Sequence, residues 1–499
     1  MRKKLIGMSL ALVSAVSVCM AASKSKKTEE KPMSISKNVW KKASNANPIS
    51  PNVFCADPTA VEYEGRLYVY GTNDHQQYLN AQKNTYEKIK SLVCFSTDDM
   101  VNWTYHGEIN VGKIAPWIMN SWAPSVCSRV EEDGLTHFYL YFSNNGIGVG
   151  VITATSPTGP WSSPLNHSLV SAEKNGLKDC PNPFDPGVCI DENGDGWLSF
   201  GAGIAKNGSK EFPGSARIVK LGKDMISFDS DFTEIKAPYL FEASELNFIN
   251  GTYVYTFNNS WEERTSWSTK TAGKAPTCSM SYMTSKTPLD TDSWIYKGHY
   301  FKNPGEMGLN YSNNHTHLHK FAGVWYLLYH TLTLQEKAPT DGGFRSMCID
   351  RIEVDEAAVK IHETTGTRKG VEAIKNLNPF AKVAGTTMFT AADIWYENIE
   401  NPGEIAAEAR ERGAWIMLKN VDFADGAAAV ALEARGSGRI EVRCNGGKKI
   451  LAAVELPKAA ESAYKELNAK LGEVITGVQD IQIIFDGKGI CLKSWRAER

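Results

Sequence analysis

The chain has 499 residues, more than one hydrophobic core usually serves, so two domains are expected, the larger near 300 residues. Its formal charge of −2 argues against nucleic acid or a membrane surface as the main partner. Ten cysteines form no CxxC pairs or metal-like clusters, and most sit inside apolar, strand-like runs as small buried hydrophobes.

Residues 1–22 combine a basic start, an apolar stretch from Leu5 to Met20 and small residues at Ala21 and Ala22, which reads as a secretory signal and a secreted or periplasmic protein. Cys19 adds the alternative of a lipoprotein, against which stands the bulky Val18 before it. No other segment approaches a membrane span. Residues 23–46 are rich in Lys, Ser and Glu and are expected to form an exposed leader, with order beginning near Asn47.

From 47 to 363 short alternating apolar runs are broken by Gly, Asn, Asp and Pro turns. Five turns lead into aromatic-rich strands anchored by Tyr68, Tyr139, Trp197, Tyr253 and Trp325. Their spacing of roughly 55 to 75 residues matches a four-stranded blade plus a loop, so a five-bladed β-propeller is predicted. Asp57, Asp185 and Glu242 recur shortly before three of these strands, and equivalent blade positions converge on one axis. Asp57 and Asp185 are each followed by proline, which holds the backbone before it extended. A turn cap is the alternative for Asp57 taken alone. Glu242 follows Tyr239 and Phe241, and burial beside them would raise its pKa toward that of a proton donor. Glu245 shares this logic. The segment Asp191–Asp195 has the alternating oxygens of part of a calcium loop, but it lacks the closing glutamate and reads as a tight hairpin. Cys180 and Cys189 are near enough in sequence to bridge, and a reduced pair is preferred.

The segments ADPTAVEYEGRLYVYGTND, SWAPSV, FDPGVCIDENGDGWLSFG, FEASELNFINGTYVY and NNHTHLHKFAGVWYLLYH resemble the successive signatures of glycoside hydrolase family 43, over roughly 47–363. That family is a five-bladed propeller that hydrolyses α-L-arabinofuranosidic and β-D-xylosidic bonds with inversion. The resemblance makes Asp57 the general base, Glu242 the general acid, and Asp185 the group that keeps the acid's pKa high and orients it. Inversion asks for about 6.5–9.5 Å between acid and base, room for a water. Arg345 and Trp122 match substrate-pocket positions, with a surface ion pair and core packing as their plainer readings. Glu245 stands where the family commonly has an aromatic residue, which leaves open which glutamate donates. His315 matches a histidine near the propeller axis that contacts substrate or meets a cation through water, while His317 and His319 read as structural. No cofactor is required by this chemistry, and a structural Ca2+ near the axis is compatible with the pattern.

Residues 364–384 lose the strand rhythm and read as a linker. Residues 385–499 alternate apolar and polar residues at strand spacing, which predicts a β-sandwich of jelly-roll type, so the whole chain is all-β. The stretch AAESAYKELNAKLGEV has helical character but lies where a sandwich needs a loop or strand. This domain resembles a family 6 carbohydrate-binding module. Ala384 and Thr386 replace glutamates common there, and LKSWRAER replaces a pattern that supplies a sugar-binding Asn. Trp395 and Tyr396 remain candidates to stack on a sugar, or to brace the two domains.

The expected function is that of a secreted inverting glycosidase acting on arabinose or xylose linkages of plant hemicellulose such as arabinoxylan, xylan or arabinan. The alternatives are an endo-1,5-α-L-arabinanase of the same family, or a propeller that binds glycan without cleaving it. The insertion HQQYLNAQKNTYEKIKS and the loop NSWEERTSWSTKTAGKAP decide between a closed pocket and a long groove by their shape, which sequence does not give.

Overall fold

The computed structural model describes residues 33–173, 177, 179–399 and 404–499; the signal segment and Cys19 lie outside them. Blade one is an antiparallel sheet of Ala56–Tyr63, Arg66–Thr72, Leu92–Thr97 and Trp103–Ile109. Blade two begins with Trp122–Val130, blade three with Gly187–Ile190, and blade four with Leu240–Ile249, each a four-stranded sheet. Blade five contains Thr316–Phe321, Val324–Thr331 and Ser346–Arg351. The innermost strands touch their neighbours in ring order, and the fifth closes against the first.

The aromatic strands recognised in the sequence are the second strands of their blades, buried on both faces. In Thr136–Ser143, Phe138, Leu140 and Phe142 pack with Tyr70 of blade one, while Tyr139 and Tyr141 pack with Leu198 and Phe200 of blade three. Alternate side chains thus face opposite neighbours, and both must be apolar, so the strand reads as an unbroken aromatic run. The start of the chain lines the open edge of blade five. Ile49 N–H donates to the Met347 carbonyl (2.9 Å), Cys55 N–H donates to the Arg345 carbonyl (2.9 Å), and the Asn47 side chain bonds both backbone groups of Ile349.

The C-terminal sandwich has one sheet built around Ala427–Arg435 and Cys491–Glu498 and a second around Ala414–Asp422 and Val478–Asp486. Val430, Leu432, Leu492 and Trp495 from one sheet pack on Ile416, Leu418, Ile483 and Phe485 from the other. The stretch of helical character is a 3-10 turn at Lys458–Ala460 followed by a strand, Lys465–Ile475. Thr387–Met388 leaves the sandwich and pairs with Trp103 and Thr104, extending blade one by a fifth strand.

Where it is described, the leader is covered only in part: Ser34, Lys37, Asn38 and residues 42–44 stay exposed. Met33, Ile35 and Val39 pack on Trp415, Met417 and Ile484, the Trp415 indole donates to the Ser36 carbonyl (2.9 Å), and Lys41 is buried with its ammonium 4.6 Å from the centre of the Phe389 ring. A lysine-rich composition concealed this because the stem of a lysine packs like an apolar side chain. Trp395 and Tyr396 serve the interface. The Tyr396 hydroxyl donates to Asn52 (2.6 Å) and its ring meets Tyr105 at 4.6 Å, while Trp395 lies between Arg410 and His75. Cys180 and Cys189 are buried free thiols. Asp191 accepts from the Trp197 indole (2.9 Å), the Tyr253 hydroxyl (2.8 Å) and the N–H groups of Asn193 and Asp195, so its segment is a hairpin whose acceptor is already used.

Candidate active site

A cavity of about 210 Å3 opens at the propeller axis, lined by Asp57, Tyr86, Trp122, Ala123, Phe184, Asp185, Glu242, Asn313, His315 and Arg345. Asp57, Trp122, Asp185, Glu242, His315 and Arg345, all singled out in the sequence, reach it. A local device repeated from blade to blade puts them there. At the mouth of each of the first four innermost strands one residue takes a positive φ: Asp57 (50°), Ala123 (23°), Asp185 (53°) and Ala243 (60°). In blades one, two and four the pairing register shifts at this point, a β-bulge that turns side chains toward the axis. A left-handed backbone at a non-glycine residue costs of order 1–3 kcal/mol, which the surrounding sheet has to offset.

The register corrects one expectation. Counting back eleven residues from Tyr253 and from Tyr68 along the sequence puts Glu242 level with Asp57. The hairpins pair Tyr63 with Arg66 and Ile249 with Thr252, so Tyr253 is level with Leu67 rather than Tyr68. Ala243 therefore occupies the place of Asp57, and Glu242 the place of Ala56, one residue nearer the mouth.

Asp57 is 4% exposed and held from both sides. Oδ1 accepts from the Arg345 guanidinium (2.9 Å) and Oδ2 from the Thr72 hydroxyl (2.7 Å), while its own N–H donates to His330 Nδ1 (3.2 Å). His330 Nε2 faces the Asn313 carbonyl at 2.8 Å, so the proton belongs on Nε2 and Nδ1 is the acceptor. Burial alone would raise the pKa of Asp57, but the Arg345 guanidinium outweighs this and holds the carboxyl well below the usual range. Arg345 is itself fixed by Asp74, which accepts from its Nε (2.9 Å), its Nη2 (2.8 Å) and its backbone N–H (3.0 Å).

Glu242 sits in the opposite field. It is half-buried, and burial, then the neighbouring Asp185, then Asp57, push its carboxyl up to about 8. Asn313 donates to it. Asp185 is also raised, first by burial, and its oxygens accept from the Ser143 hydroxyl (3.1 Å) and the Ala243 N–H (2.8 Å). The last bond anchors the backbone directly after Glu242, so Asp185 acts on it both through charge and through position.

Glu245 does not face the cavity. It is 0% exposed and belongs to a ring one step down the axis with Thr59, Ser125, Gly187 and His317. Its Oε1 lies 3.4 Å from the Ser125 hydroxyl and 3.1 Å from His317 Nδ1, and His317 Nε2 lies 3.4 Å from His319 Nδ1. A side-chain carbon on Gly187 would come within 2.5 Å of the Glu245 backbone, so glycine is required where these strands converge. A directly liganded axial cation finds no cage among the described residues. His315 Nε2 is buried without a partner and suits a water or a sugar hydroxyl. A hard cation takes 6–8 oxygens, yet the oxygens of Asp57, Asp185 and Glu245 are already engaged, and no metal-holding cluster of His, Cys, Asp and Glu occurs among the described residues. These residues do not fit a directly liganded Ca2+.

Sequence reasoning missed Asp74, Tyr86, Asn313, His330, Thr72 and Phe184. Tyr86 comes from the blade-one insertion. Its ring lies under the Arg345 guanidinium at 4.9 Å, and its carbonyl accepts from the Trp122 indole (3.1 Å), so the insertion walls one side of the cavity. The only available signal was that the insertion is long.

One carboxylate held charged and one carboxylic acid held protonated, facing a single small cavity, form an acid–base pair suited to hydrolysing an acetal. On the axis of a five-bladed propeller this defines a glycoside hydrolase. Residues 45–357 match the family model of glycosyl hydrolases family 43, and residues 388–498 match that of the carbohydrate binding module family 6. The chain belongs to glycosyl hydrolases family 43. It is 33% identical to an arabinoxylan arabinofuranohydrolase of Bacillus subtilis, over 91% of this chain and 92% of that one. It is 32% identical to an arabinoxylan arabinofuranohydrolase of Paenibacillus polymyxa, over 89% of this chain and 72% of that one. The crystal structure of a family 43 arabinoxylan arabinofuranohydrolase from Bacillus subtilis with cellotetraose superposes with a TM-score of 0.84 at 31% identity, covering 92% of this chain and 98% of that one. No helix among the described residues is long and apolar enough to cross a membrane.

Proposed function

We propose that the protein is a secreted, inverting α-L-arabinofuranosidase that removes arabinose from arabinoxylan. The observation that carries this reading is the opposed protonation of Asp57 and Glu242 across one small cavity. At about 210 Å3 the cavity is below the 300–1,000 Å3 of drug-sized sites, which suits one pentose better than a stretch of chain. Tyr86 and Trp122 wall it where an endo-acting groove would stay open, and the names of the relatives favour arabinose over xylose.

In this reading the pentose enters with its anomeric carbon between the two carboxyl groups. Asp57, charged at every working pH, takes a proton from a water as that water attacks. Glu242 gives its proton to the departing oxygen, so neither the attacking nor the leaving oxygen carries full charge. Asp185 keeps Glu242 protonated until the leaving oxygen needs the proton. Arg345 fixes Asp57 and offers hydrogen bonds to sugar hydroxyls, and His315 Nε2 is free to meet another. No step calls for a cofactor. Proton NMR of the sugar released from 4-nitrophenyl α-L-arabinofuranoside tests the proposal. The inverted anomer is expected first, and faster release from linear arabinan or from the β-D-xyloside would overturn it.

A further inference from the structure

The rings of Trp40, Phe54, His75, Tyr78, Phe344 and Trp395 pack together beside the groups that hold Asp57, and none of them lines the cavity. Phe54 is the hub: its ring centre lies 5.0 Å from Tyr78, 5.4 Å from Phe344, 5.9 Å from Trp40 and 6.0 Å from His75. His75 in turn meets Trp395 at 5.5 Å. Three of these rings are chain neighbours of the base and its supports. Phe54 stands three residues before Asp57, His75 directly follows Asp74, and Phe344 directly precedes Arg345. The backbone ties them as well: His75 N–H donates to the Phe54 carbonyl (2.9 Å), and Cys55 N–H donates to the Arg345 carbonyl (2.9 Å).

Two of the rings come from outside the propeller. Trp40 belongs to the leader and Trp395 to the sandwich, and a short relay joins them. The Trp40 indole donates to the Asn38 side chain (3.1 Å), whose amide donates to Asp393 (2.6 Å), two residues before Trp395. Phe54 and Phe344 are fully buried, and a close-packed interior passes a displacement on to its neighbours. A misplacement of about 1 Å that starts far from the reacting atoms can cost about 10^2-fold in rate. Glu242 takes its support from Asp185 and Asn313, which are not part of this cluster.

We propose that Trp40 and Trp395 are positioning residues for the base: from outside the propeller they hold the packing that fixes Asp74 and Arg345 against Asp57. The leader and the sandwich thereby complete the active site without touching substrate. This rests on the proposed role of Asp57 as the base, and not on which pentose is cleaved.

Steady-state kinetics on 4-nitrophenyl α-L-arabinofuranoside and β-D-xyloside, at a temperature where every variant is folded, gives the first test. Trp40→Ala and Trp395→Ala are each expected to lower kcat about tenfold on the substrate that the wild type cleaves, with KM kept within about twofold and the alkaline limb of the pH–rate profile in place. Trp395→Phe should regain most of the loss. Leu432→Ala, in the sandwich core, is expected to lower the unfolding midpoint and leave kcat unchanged. An unchanged kcat in both tryptophan variants, or the same loss in Leu432→Ala, would refute the positioning role. Cleavage of the xyloside alone would remove the proposed arabinose specificity and leave this test standing. The second test needs no turnover. The change that Asp57→Asn makes in the urea unfolding midpoint is expected to shrink by about half in Trp395→Ala protein, because the cationic corner around Asp57 is already loosened there. Equal changes in the two backgrounds are what independent sites give, and they would sink the coupling.

Discussion

Asp57 and Glu242 open onto the same cavity, yet the fold drives their protonation in opposite directions. Asp57 stands in a cationic corner: Arg345 lies within 2.9 Å, and Asp74 locks that guanidinium in place. Glu242 stands one residue nearer the mouth on blade four, across the axis from blade one, with the carboxyl groups of Asp185 and Asp57 as the neighbours that act on it most. Burial raises both pKa values, and only the sign of the neighbours separates them. A propeller suits this division because each blade brings its own side chain to the axis, and each neighbour can be chosen separately.

Removing either partner should break the comparison most visibly. Asp57→Asn is expected to lower kcat by about 10^2–10^4-fold on every substrate, because attack by water always needs the base. Glu242→Gln should cost as much on arabinoxylan but far less on 4-nitrophenyl α-L-arabinofuranoside, whose leaving group needs no proton. Steady-state kinetics on the two substrates checks both, and equal losses for Glu242→Gln would assign the acid role elsewhere.

A smaller effect is expected on stability, with opposite signs for the two groups. Glu242 binds its proton more tightly folded than unfolded, so it costs stability as pH rises from the ordinary carboxylate range to about 8. Asp57 does the reverse, contributing stability above the ordinary range that is lost as pH falls. Glu242→Gln should therefore raise stability at pH 8 by about 2 kcal/mol and leave it nearly unchanged at pH 4. Thermal or urea denaturation at the two pH values gives the answer, and a destabilised variant at pH 8 would contradict the field described here.

The smallest change sharpens the comparison instead of breaking it. Activity requires Asp57 charged and Glu242 protonated, so the alkaline limb of the pH–rate profile should fall near 8. Asp185→Asn removes a negative neighbour and should move that limb down by about one pH unit, or 1.36 kcal/mol. An unmoved limb in Asp185→Asn would leave Asp185 with only a positioning role, through the Ala243 N–H and the Ser143 hydroxyl.

The propeller was legible in the sequence because its second strands are buried on both faces, and a run such as THFYLYFS has no other comfortable place. Asp57 and Asp185 were legible through the proline that follows each of them. Glu242 was found, but its level was misjudged by one residue, because the hairpins before Tyr68 and Tyr253 place those tyrosines at different heights. Asp74 and Tyr86 were not legible at all. Asp74 meets Arg345 across 271 positions of chain, and nothing local marks either as half of an ion pair. Residues 33–46 were legible in part: their polar residues stay largely exposed as their composition suggests, while Met33, Ile35, Val39 and Trp40 pack inward.

The strand that Thr387–Met388 adds to blade one means that the two domains share a continuous sheet rather than merely touching. A propeller cut free at residue 363 would bare the backbone of residues 103–105, a stretch of strand edge that invites pairing with another molecule. The segment that leads into the sandwich thus covers the start of the catalytic domain's outer edge, whatever the sandwich itself binds.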